Sequence, residues 1–404
     1  MCGIAGIVDY NSPIDRSTLE RMRTALHHRG PDEQTLRRLP HLGLVHTRLA
    51  LIDLKNGSQP MCSADGRYWI IYNGEVYNFR ELRRELQHFW DFRTDCDTEV
   101  VLAAWARWGM ECLKRLNGMF AFFCWDARKG QGWLVRDLLG IKPVAWTDKG
   151  NFRFASEARA LVATQGGAVR GDKLSILEYF VSPYASGVDH SMFAGIHYLE
   201  PGQYLHISRS GVTSGFWGDY NPHPQQLSQS PDLHPLLKAA VKRSMIADVP
   251  VGYLLSGGLD STLVTYLGYR HTGRGNAYTI DNHDRDRFSR DKASLWAVAD
   301  DVPHAVRAAR SFRVPHYLVP IDRTRNSDHI AQIAAVNESI PVLEEEFPLH
   351  QLYQRAARDQ KTIVVGEVAD ETHLRVFLSL ESTDIERNEK YHGYPLLQRH
   401  DTKQ

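Results

Sequence analysis

Hydrophobic residues follow two different spacings along this chain, and each spacing predicts one kind of element. Short, nearly continuous apolar runs rich in β-branched and aromatic residues predict strands. In the first half these runs are CGIAGIV, YWIIYNGE, MFAFFCWD, GWLVRD and NFRFAS. Apolar residues three and four positions apart predict amphipathic helices, and these are DRSTLERMRTAL, FRELRREL and EVVLAAWARW. Strands and helices in this mixture fit two sheets sandwiched between helices.

In the second half, single strand runs alternate with segments of helical length. The strand runs are NAYTI, VPHYLVPI and KTIVV, and the helical ones are AVADDVPHAVRAARSF, HIAQIAAVNES and LHQLYQRAARDQ. This alternation predicts a parallel sheet with crossover helices. A stretch rich in Pro, Gln and Ser, DYNPHPQQLSQSPD, predicts an exposed linker before it. We therefore predict a first domain over residues 1–215, a linker over 216–232 and a second domain over 233–404.

Composition narrows the class of protein. A chain of 404 residues with 43% hydrophobic content can bury two sizeable cores. Lys+Arg and Asp+Glu balance at 48 each, which gives no electrostatic reason to expect nucleic acid as a partner. The N-terminal run MCGIAGIVDY has no basic leader and stops at Asp9, too early for a signal peptide or a membrane span. We expect a cytoplasmic protein without a membrane partner.

One loop between a predicted strand and a predicted helix has the composition of a phosphate site. Residues 250–261 read PVGYLLSGGLDS and lead into the helical run LDSTLVTYL. The loop carries two flexible glycines and two hydroxyl donors, at Gly257, Gly258, Ser256 and Ser261. Such a loop, followed by the positive end of a helix, favours an anion, and Asp260 beside that anion indicates a divalent cation. No Gly-Lys-Ser/Thr follows, so the loop is not of the Walker type; an ordinary turn that opens a βα unit is the alternative.

Cys2 is the second candidate for chemistry. If Met1 is removed, this one residue carries both a thiol and an α-amine, which titrate near 8.5 and 8, so the amine can serve as the thiol's base at little cost. The alternative is that Cys2 is simply part of a buried first strand. Five cysteines without CxxC spacing argue against disulfides and structural zinc, and we expect Cys62, Cys112 and Cys124 to fill space in or near a core.

Four motifs near the N-terminus occur in the order found in one known family. They are MCGIAGIVDY, HRGPDE, HTRLALID and YNGEVYNFRELR, and with them the first half resembles the class II glutamine amidotransferase domain. The resemblance implies an α+β fold of the N-terminal-nucleophile hydrolase type, an αββα sandwich. It also implies that Cys2 attacks the glutamine amide and releases ammonia.

The same resemblance implies roles for other residues of these motifs. Asn73 and the backbone N–H of Gly74 would donate to the oxyanion, a role that needs preorganised donors. Arg48 would pair with the α-carboxylate of glutamine. Glu75 and Asp97 would hold its α-ammonium, with Asp95 in TDCDTE as the competitor of Asp97.

The second half resembles two related groups of ATP-using enzymes. SGGLDS is similar to the pyrophosphate loop of ATP pyrophosphatases, which implies an α/β fold of the adenine nucleotide alpha hydrolase type. The implied ATP-binding residues are Leu254, Ser256, Gly257, Gly258, Asp260, Ser261 and Gly366. The segment KTIVVGEVADETHLRV resembles a strand and acidic motif of asparagine synthetases, which implies that Asp260 and Asp370 bind Mg²⁺ and that Glu367 faces the acceptor. An acidic helix cap is the alternative for GEVADE.

Taken together, the chain resembles the glutamine-hydrolysing asparagine synthetases, and we expect it to be shorter than they are at its C-terminus. The resemblance implies ATP- and Mg²⁺-dependent amide formation through an acyl-AMP, with glutamine as nitrogen donor and aspartate as acceptor. A homodimer is one assembly to consider. The chain departs from the family at Val365, Val368 and Ala369, where Gly or Ser is usual, and no residue is assigned to the family's catalytic lysine. Two alternatives remain: an acceptor carboxylate from specialised metabolism, or a glutaminase or ammonia-supplying protein with a degenerate second half.

Overall fold

The computed structural model describes residues 1–166, 168–181, 191–218, 232–282, 301–322, 326–338 and 343–366. These residues divide into two compact units, one within residues 1–218 and the other starting at residue 232. Each unit has its own sheet structure and its own hydrophobic clusters.

The first unit contains two antiparallel sheets. Its strands are β1 (Gly3–Val8), β2 (Glu33–Leu39), β3 (Leu42–Arg48), β4 (Met61–Cys62), β5 (Tyr68–Val76), β6 (Gly118–Asp126), β7 (Gln131–Arg136), β8 (Ala145–Thr147), β9 (Phe152–Ala155), β10 (His197–Tyr198), β11 (Gln203–Ser208) and β12 (Gly211–Phe216). Its helices are α1 (Arg16–Ala25), α2 (Phe79–Leu86), α3 (Asp97–Trp108), α4 (Ala158–Val162) and α5 (Lys173–Val181), with 3₁₀ turns at His27–Arg29 and Gly109–Arg115. The six-stranded sheets have the orders β10-β8-β9-β1-β3-β2 and β12-β11-β7-β6-β5-β4.

Alternate positions of the two sheets form the core between them. Ile4 and Leu44 of one sheet share a fully buried cluster with Ile71 and Phe123 of the other. The ring of Phe123 stacks on that of Phe154 across this space, with 4.6 Å between ring centroids. Because successive side chains of a strand point to opposite faces, the residues between these positions face outward.

Helices cover the outward faces of both sheets. Val45 packs in one cluster with Leu19 of α1, and Trp105 of α3 meets Phe122 edge to face at 5.7 Å. The result is four layers in the order helix, sheet, sheet, helix. This confirms the αββα sandwich that the sequence predicted.

The second unit is built around one parallel sheet. Its strands are β13 (Val251–Leu254), β14 (Ala277–Asp281), β15 (His316–Pro320) and β16 (Thr362–Val364), and its helices are α6 (Leu233–Ser244), α7 (Leu259–Thr272), α8 (Val302–Phe312), α9 (Asn326–Asn337) and α10 (Leu343–Ala356). The order is β15-β14-β13-β16, and every pairing is parallel. Since β14 and β16 lie on opposite sides of β13, the carboxyl end of β13 is a topological switch point, where α/β sheets bind ligands. The predicted α/β domain is confirmed.

The structure differs from the sequence prediction in two details. Strands β4, β8 and β10 have two or three residues, too few to show an alternating pattern. Phe216 pairs with Gln203 in the sheet and the Trp217 indole donates to the Arg136 carbonyl at 2.8 Å, so the strand layer continues past residue 215. The helix predicted from residue 297 is described from Val302 onward, and most of the predicted linker lies outside the described residues. In the described ranges, no helix has the length and apolarity needed to cross a membrane.

Replacing Phe123 with alanine tests the inter-sheet core. We expect Phe123→Ala to lower the free energy of unfolding by about 3–5 kcal/mol, because it removes a fully buried ring and leaves a cavity. Urea denaturation followed by tryptophan fluorescence reports on this unit, since every tryptophan except Trp296 lies at or before residue 217. The control is Phe89→Ala, whose side chain is 49% exposed and should cost less than about 1 kcal/mol. Equal losses would contradict this assignment of the core.

Candidate active sites

Cys2 lies immediately before β1, at one end of the sandwich. The register pairs Gly3 with Thr47, which puts Cys2 beside the end of β3. The thiol donates to the Leu49 carbonyl at 3.6 Å, and the Leu49 N–H donates to the sulfur at 3.4 Å. A pocket opens here, and it is lined by five residues predicted from the sequence: Cys2, Arg48, Gly74, Glu75 and Asp97.

Arg48 is a buried cation whose direction is fixed by backbone carbonyls. Its side chain is 7% exposed and lies 3.7 Å from a carboxylate oxygen of Glu33. The guanidinium donates to the carbonyls of residues 52–54, at 2.6 Å for the closest. A Cβ atom on Gly57 would collide with Nη2 of Arg48, so the guanidinium fits only because this residue is glycine. Sequence reasoning missed Gly57, since nothing local distinguishes it from other loop glycines.

The structure separates the two candidate aspartates. Asp97 is 5% exposed at the start of α3, and its Oδ2 accepts from the Tyr72 hydroxyl at 2.8 Å and from the Val76 N–H at 3.0 Å. Burial raises the pKa of the Asp97 carboxyl, and these two donors oppose the rise. Asp95 has a side chain that is 91% exposed and pairs with Arg83 at 3.3 Å. Of the two, Asp97 lines the pocket.

Asn73 and Gly74 lie side by side on β5. Asn73 is 1% exposed, and its side-chain nitrogen Nδ2 has no hydrogen-bond partner among the described residues. A Cβ atom on Gly74 would lie 2.5 Å from the Met119 carbonyl oxygen, so close packing of β5 against β6 requires glycine there. A buried amide donor without a partner costs about 1–3 kcal/mol. That donor is therefore available to an oxygen that enters the site.

A buried ion-pair cluster holds the backbone of Cys2. Arg29 donates through Nε to the Cys2 carbonyl at 2.9 Å and through Nη1 to Glu157 at 2.7 Å. His28 at 3.1 Å and Arg159 at 2.6 Å complete the shell of Glu157. Burial alone would raise the pKa of Glu157, but His28 and Arg29 outweigh it and lower that pKa to about 2. The motif HRGPDE contains Arg29, but its partner lies 128 residues away and sequence spacing gives no signal for it.

Lys142 is a second buried cation that sequence reasoning missed. It is 6% exposed, and burial lowers its pKa while the negative charge of Glu75 opposes the shift. Asp137 fixes its backbone, since one carboxylate oxygen accepts from the N–H groups of Lys142 at 3.0 Å and Phe120 at 3.1 Å. Phe120 is the partner of Gly74 across the sheet. A lysine within the apolar run RDLLGIKPVAW was the available signal.

The titration of the N-terminus favours a neutral amine. Burial lowers the pKa of the Met1 α-amine to about 6, and Arg29 and Lys142 add to this effect. Burial raises the pKa of the Cys2 thiol, while the Leu49 N–H and the charge of Arg48 lower it. The Met1 amine is therefore mostly unprotonated at neutral pH.

In the second unit, the loop after β13 has the geometry of an anion site. Gly257 has φ of +90°, and a Cβ atom there would lie 2.6 Å from the Ala305 nitrogen. The hydroxyl oxygens of Ser256 and Ser261 are 2.9 Å apart. Gly258 is the N-cap of α7, and no side chain of this residue accepts from the first N–H groups of the helix. The positive end of a 14-residue helix therefore faces this loop.

The end of β16 approaches the same loop. A Cβ atom on Gly366 would lie 2.9 Å from both the Asp260 carbonyl carbon and the Ser261 nitrogen. The predicted ATP-site residues are thus all in or beside this loop: Leu254, Ser256, Gly257, Gly258, Asp260, Ser261 and Gly366. Glu367 and Asp370 lie outside the described residues. Among the residues that are described, no three His, Cys, Asp or Glu side chains form a group that could hold a metal.

Comparison with known families decides the identity of the first unit. A family model described as a glutamine amidotransferase domain matches residues 1–218. The chain belongs to the glutamine amidotransferase family. Its second unit matches a family model described as asparagine synthase, over residues 232–374. The two matches confirm the resemblance that the motifs predicted.

Curated relatives of this amidotransferase family member match most of its length. It is 33% identical to asparagine synthetase [glutamine-hydrolyzing] 3 of Bacillus subtilis over 387 residues, which is 92% of this chain and 62% of the relative. It is 27% identical to asparagine synthetase B [glutamine-hydrolyzing] of Escherichia coli over 383 residues, 92% of this chain and 64% of that one. The chain therefore spans less than two thirds of the length of these relatives.

Glu157→Gln tests the buried cluster in this amidotransferase unit. The folded-state pKa of Glu157 lies near 2, below its ordinary value of 4.5, so the ionised form contributes stability above pH 4.5 that is lost as pH falls toward 2. At pH 7 we expect a loss of about 3 kcal/mol, measured by urea denaturation, and a shrinking difference from wild type below pH 4.5.

The matched control is Asp95→Asn, which removes an exposed carboxylate from the same unit. It should change the free energy of unfolding by no more than about 0.5 kcal/mol at either pH. A constant difference between wild type and Glu157→Gln across this pH range would show that the ionised pair is not the source of the stability.

Proposed function

We propose that the chain converts a carboxylate to an amide, with glutamine as nitrogen donor and ATP as the activating substrate, and that aspartate is the acceptor. The observation that carries the proposal is the convergence of Cys2, Arg48, Gly74, Glu75 and Asp97 on one pocket. The glycine loop at a helix N-terminus in the second unit supports the ATP-dependent step. The names of the curated relatives support aspartate and asparagine as substrate and product.

Glutamine hydrolysis begins once Met1 has been removed and the α-amine belongs to Cys2. The amine takes the proton of the thiol, and the sulfur attacks the amide carbon of glutamine to form a tetrahedral oxyanion. Asn73 Nδ2 and the Gly74 N–H donate to that oxyanion. The amine then delivers the proton to the leaving nitrogen, so that ammonia and a γ-glutamyl thioester result. Water hydrolyses the thioester to glutamate and restores the thiol.

Three charged side chains orient the substrate in this proposal. Arg48 meets the α-carboxylate of glutamine with a guanidinium that the carbonyls of residues 52–54 already hold in place. Glu75 and Asp97 bind the α-ammonium from the same side of the pocket. Because Arg48 and Asp97 are buried and hydrogen-bonded before glutamine arrives, little of their orientational entropy remains to be lost on binding.

The second unit activates the acceptor as its AMP ester, and the ammonia then displaces AMP. The loop residues from Ser256 to Ser261 would hold the phosphates of ATP, and Gly366 leaves room at the carboxyl edge of the sheet. Asp260, in the first turn of α7, would share Mg²⁺ with Asp370, and Glu367 would face the acceptor. Bound there, Mg²⁺ would neutralise charge on the pyrophosphate. The domain limits proposed are 1–215 for hydrolysis and 233–404 for synthesis, joined by 216–232.

Cys2→Ala separates the two half-reactions. We expect this variant to lose glutamine hydrolysis by at least about a thousandfold, because it lacks the nucleophile, while amide formation from added ammonium salts continues. Glutamate release and ammonia-dependent product formation are measured in parallel, after mass spectrometry has established that Met1 is absent. The control Cys62→Ala removes a thiol that does not line the pocket and should retain both activities. Glutaminase activity that survives in Cys2→Ala would refute the assignment.

Pyrophosphate release from Mg-ATP tests the synthetase half. With glutamine present, we expect release to require aspartate and to produce asparagine. Asp260→Asn should lower this release by at least about a hundredfold, because a Mg²⁺ ligand is lost, and should leave glutamine hydrolysis intact. The control Asp359→Asn changes a carboxylate before β16, at the opposite edge of the sheet, and should keep both activities.

Any other outcome of the pyrophosphate-release assay would indicate a different function. Pyrophosphate release that ignores aspartate would point to a different acceptor carboxylate, of specialised metabolism for example. Glutamate formation without any pyrophosphate would leave a glutaminase or an ammonia-supplying protein. Loss of both activities in Asp260→Asn would place its defect in folding and not in a metal site.

A further inference from the structure

Besides Nη2 of Arg29, two buried nitrogen atoms near Cys2 have no hydrogen-bond partner among the described residues. They are Nε2 of His46 and Nδ2 of Asn73, and each residue is 1% exposed. Leaving a buried polar group unpaired costs about 1–3 kcal/mol. Two such atoms in one region therefore indicate a requirement other than stability.

The first of these residues shares a face of the sheet with Cys2. On β3, Leu44 belongs to the core between the sheets and Val45 faces α1, so His46 points between the sheets with Leu44. The register pairs His46 with Ile4, which also faces that core. Cys2 precedes Ile4 by two residues and shares its face. His46 therefore lies one step, about 7 Å along the strand, below Cys2.

The second residue enters the same space from the opposite sheet. On β5, Ile71 lies in the core between the sheets, whereas the Tyr72 hydroxyl reaches Asp97 on the outer side. Asn73 therefore points between the sheets with Ile71. It also immediately precedes Gly74, which lines the Cys2 pocket. His46 and Asn73 thus enter one layer from facing sheets.

The two unpartnered nitrogens are complementary in their chemistry. The backbone carbonyl of Tyr72 accepts a hydrogen bond from the His46 imidazole. Because Nε2 has no partner, the nitrogen that donates is Nδ1, and Nε2 is left with a lone pair that can accept. Burial lowers the pKa of His46 to about 3, so the ring is neutral at the pH of any assay. Nδ2 of Asn73 carries two N–H donors.

We propose that His46 is a positioning residue for glutamine hydrolysis. Its Nε2 accepts one N–H of the Asn73 amide through one bridging water, and so holds the other N–H toward the oxygen that becomes negative on the substrate. The inference rests on the proposed role of Asn73 in the oxyanion site. A neutral imidazole suits this task, because a protonated ring could donate but not accept and would repel the amide N–H groups.

Substitution of His46 tests the proposal, because loss of a positioning residue should lower kcat and leave KM nearly unchanged. His46→Leu removes the acceptor with little change in volume, and we expect kcat for glutamine hydrolysis to fall about 10–100-fold while KM for glutamine changes less than about threefold. His46→Gln returns an acceptor oxygen and should recover most of the rate. The control His206→Leu alters a partly buried histidine elsewhere in this unit, on β11, and should leave kcat and KM unchanged.

A double-mutant cycle with Asn73→Ala makes the test decisive. We expect Asn73→Ala alone to lower kcat about 10²–10³-fold, and addition of His46→Leu to cause no further loss, because the imidazole then has no amide to hold. Losses that multiply in the double variant would overturn the proposal. So would a loss in His46→Leu that appears in KM alone, or a His46→Gln variant as slow as His46→Leu.

Two further measurements distinguish a failure of this inference from misfolding and from a failure of the proposed function. Thermal melting of each variant identifies any that has failed to fold, and His46→Ala, which also lacks an acceptor, then carries the cycle in place of His46→Leu. Glutaminase activity that survives in Cys2→Ala would refute the proposed function itself. If Cys2→Ala is inactive and the cycle is additive, glutamine hydrolysis at Cys2 stands and the role of His46 is wrong.

Discussion

The antiparallel pairing of β1 with β3 is the constraint on which the amidotransferase site depends. Terminal residues of a chain usually fray, but here β1 lies inside its sheet, between β3 and β9, and all six of its residues are buried. The pairing brings the Leu49 backbone to the Cys2 sulfur and sets Arg48 beside it. The residue that we propose as nucleophile is thereby held next to a strand that is buried along its whole length.

Most charged groups around this pocket are buried, and each is compensated before any substrate binds. Arg29 lies between the Cys2 carbonyl and Glu157, and Asp97 accepts from the Tyr72 hydroxyl and a backbone N–H. A buried charge without such partners would be too costly to keep. These contacts fix the directions of the charges in advance, and electrostatic stabilisation of a transition state requires that preorganisation. Asn73 and His46 are uncharged side chains of this region, and each has a buried nitrogen without a partner among the described residues.

The sequence alone was enough to identify the candidate site residues that lie in local motifs. Cys2, Arg48, Gly74, Glu75 and Asp97 are spread over nearly a hundred residues, and the fold brings them around one pocket. The alternating apolar pattern was sufficient for the four-layer sandwich because both its sheets have long central strands.

Other residues could not have been found in this way because their role exists only in the folded chain. Gly57 matters through the space it leaves for the guanidinium of Arg48. Glu157 matters because it pairs with Arg29, which lies 128 residues away in the sequence. Asp97 could be preferred to Asp95 from its position just before a helical run, and the structure adds that Asp97 is buried whereas Asp95 is exposed.

The two proposed sites stabilise negative charge in different ways, and the difference has a physical reason. Phosphate groups present many oxygens over several ångströms, and a glycine loop at a helix start meets them with several backbone N–H groups. A tetrahedral intermediate concentrates charge on one oxygen, which needs one or two donors of fixed direction. On β5 one such donor is a side-chain amide, and an amide can turn about its own bonds. The direction of a single buried amide, more than the amount of charge nearby, therefore limits the hydrolysis that we propose, and a neighbouring acceptor such as His46 is the simplest means to fix it.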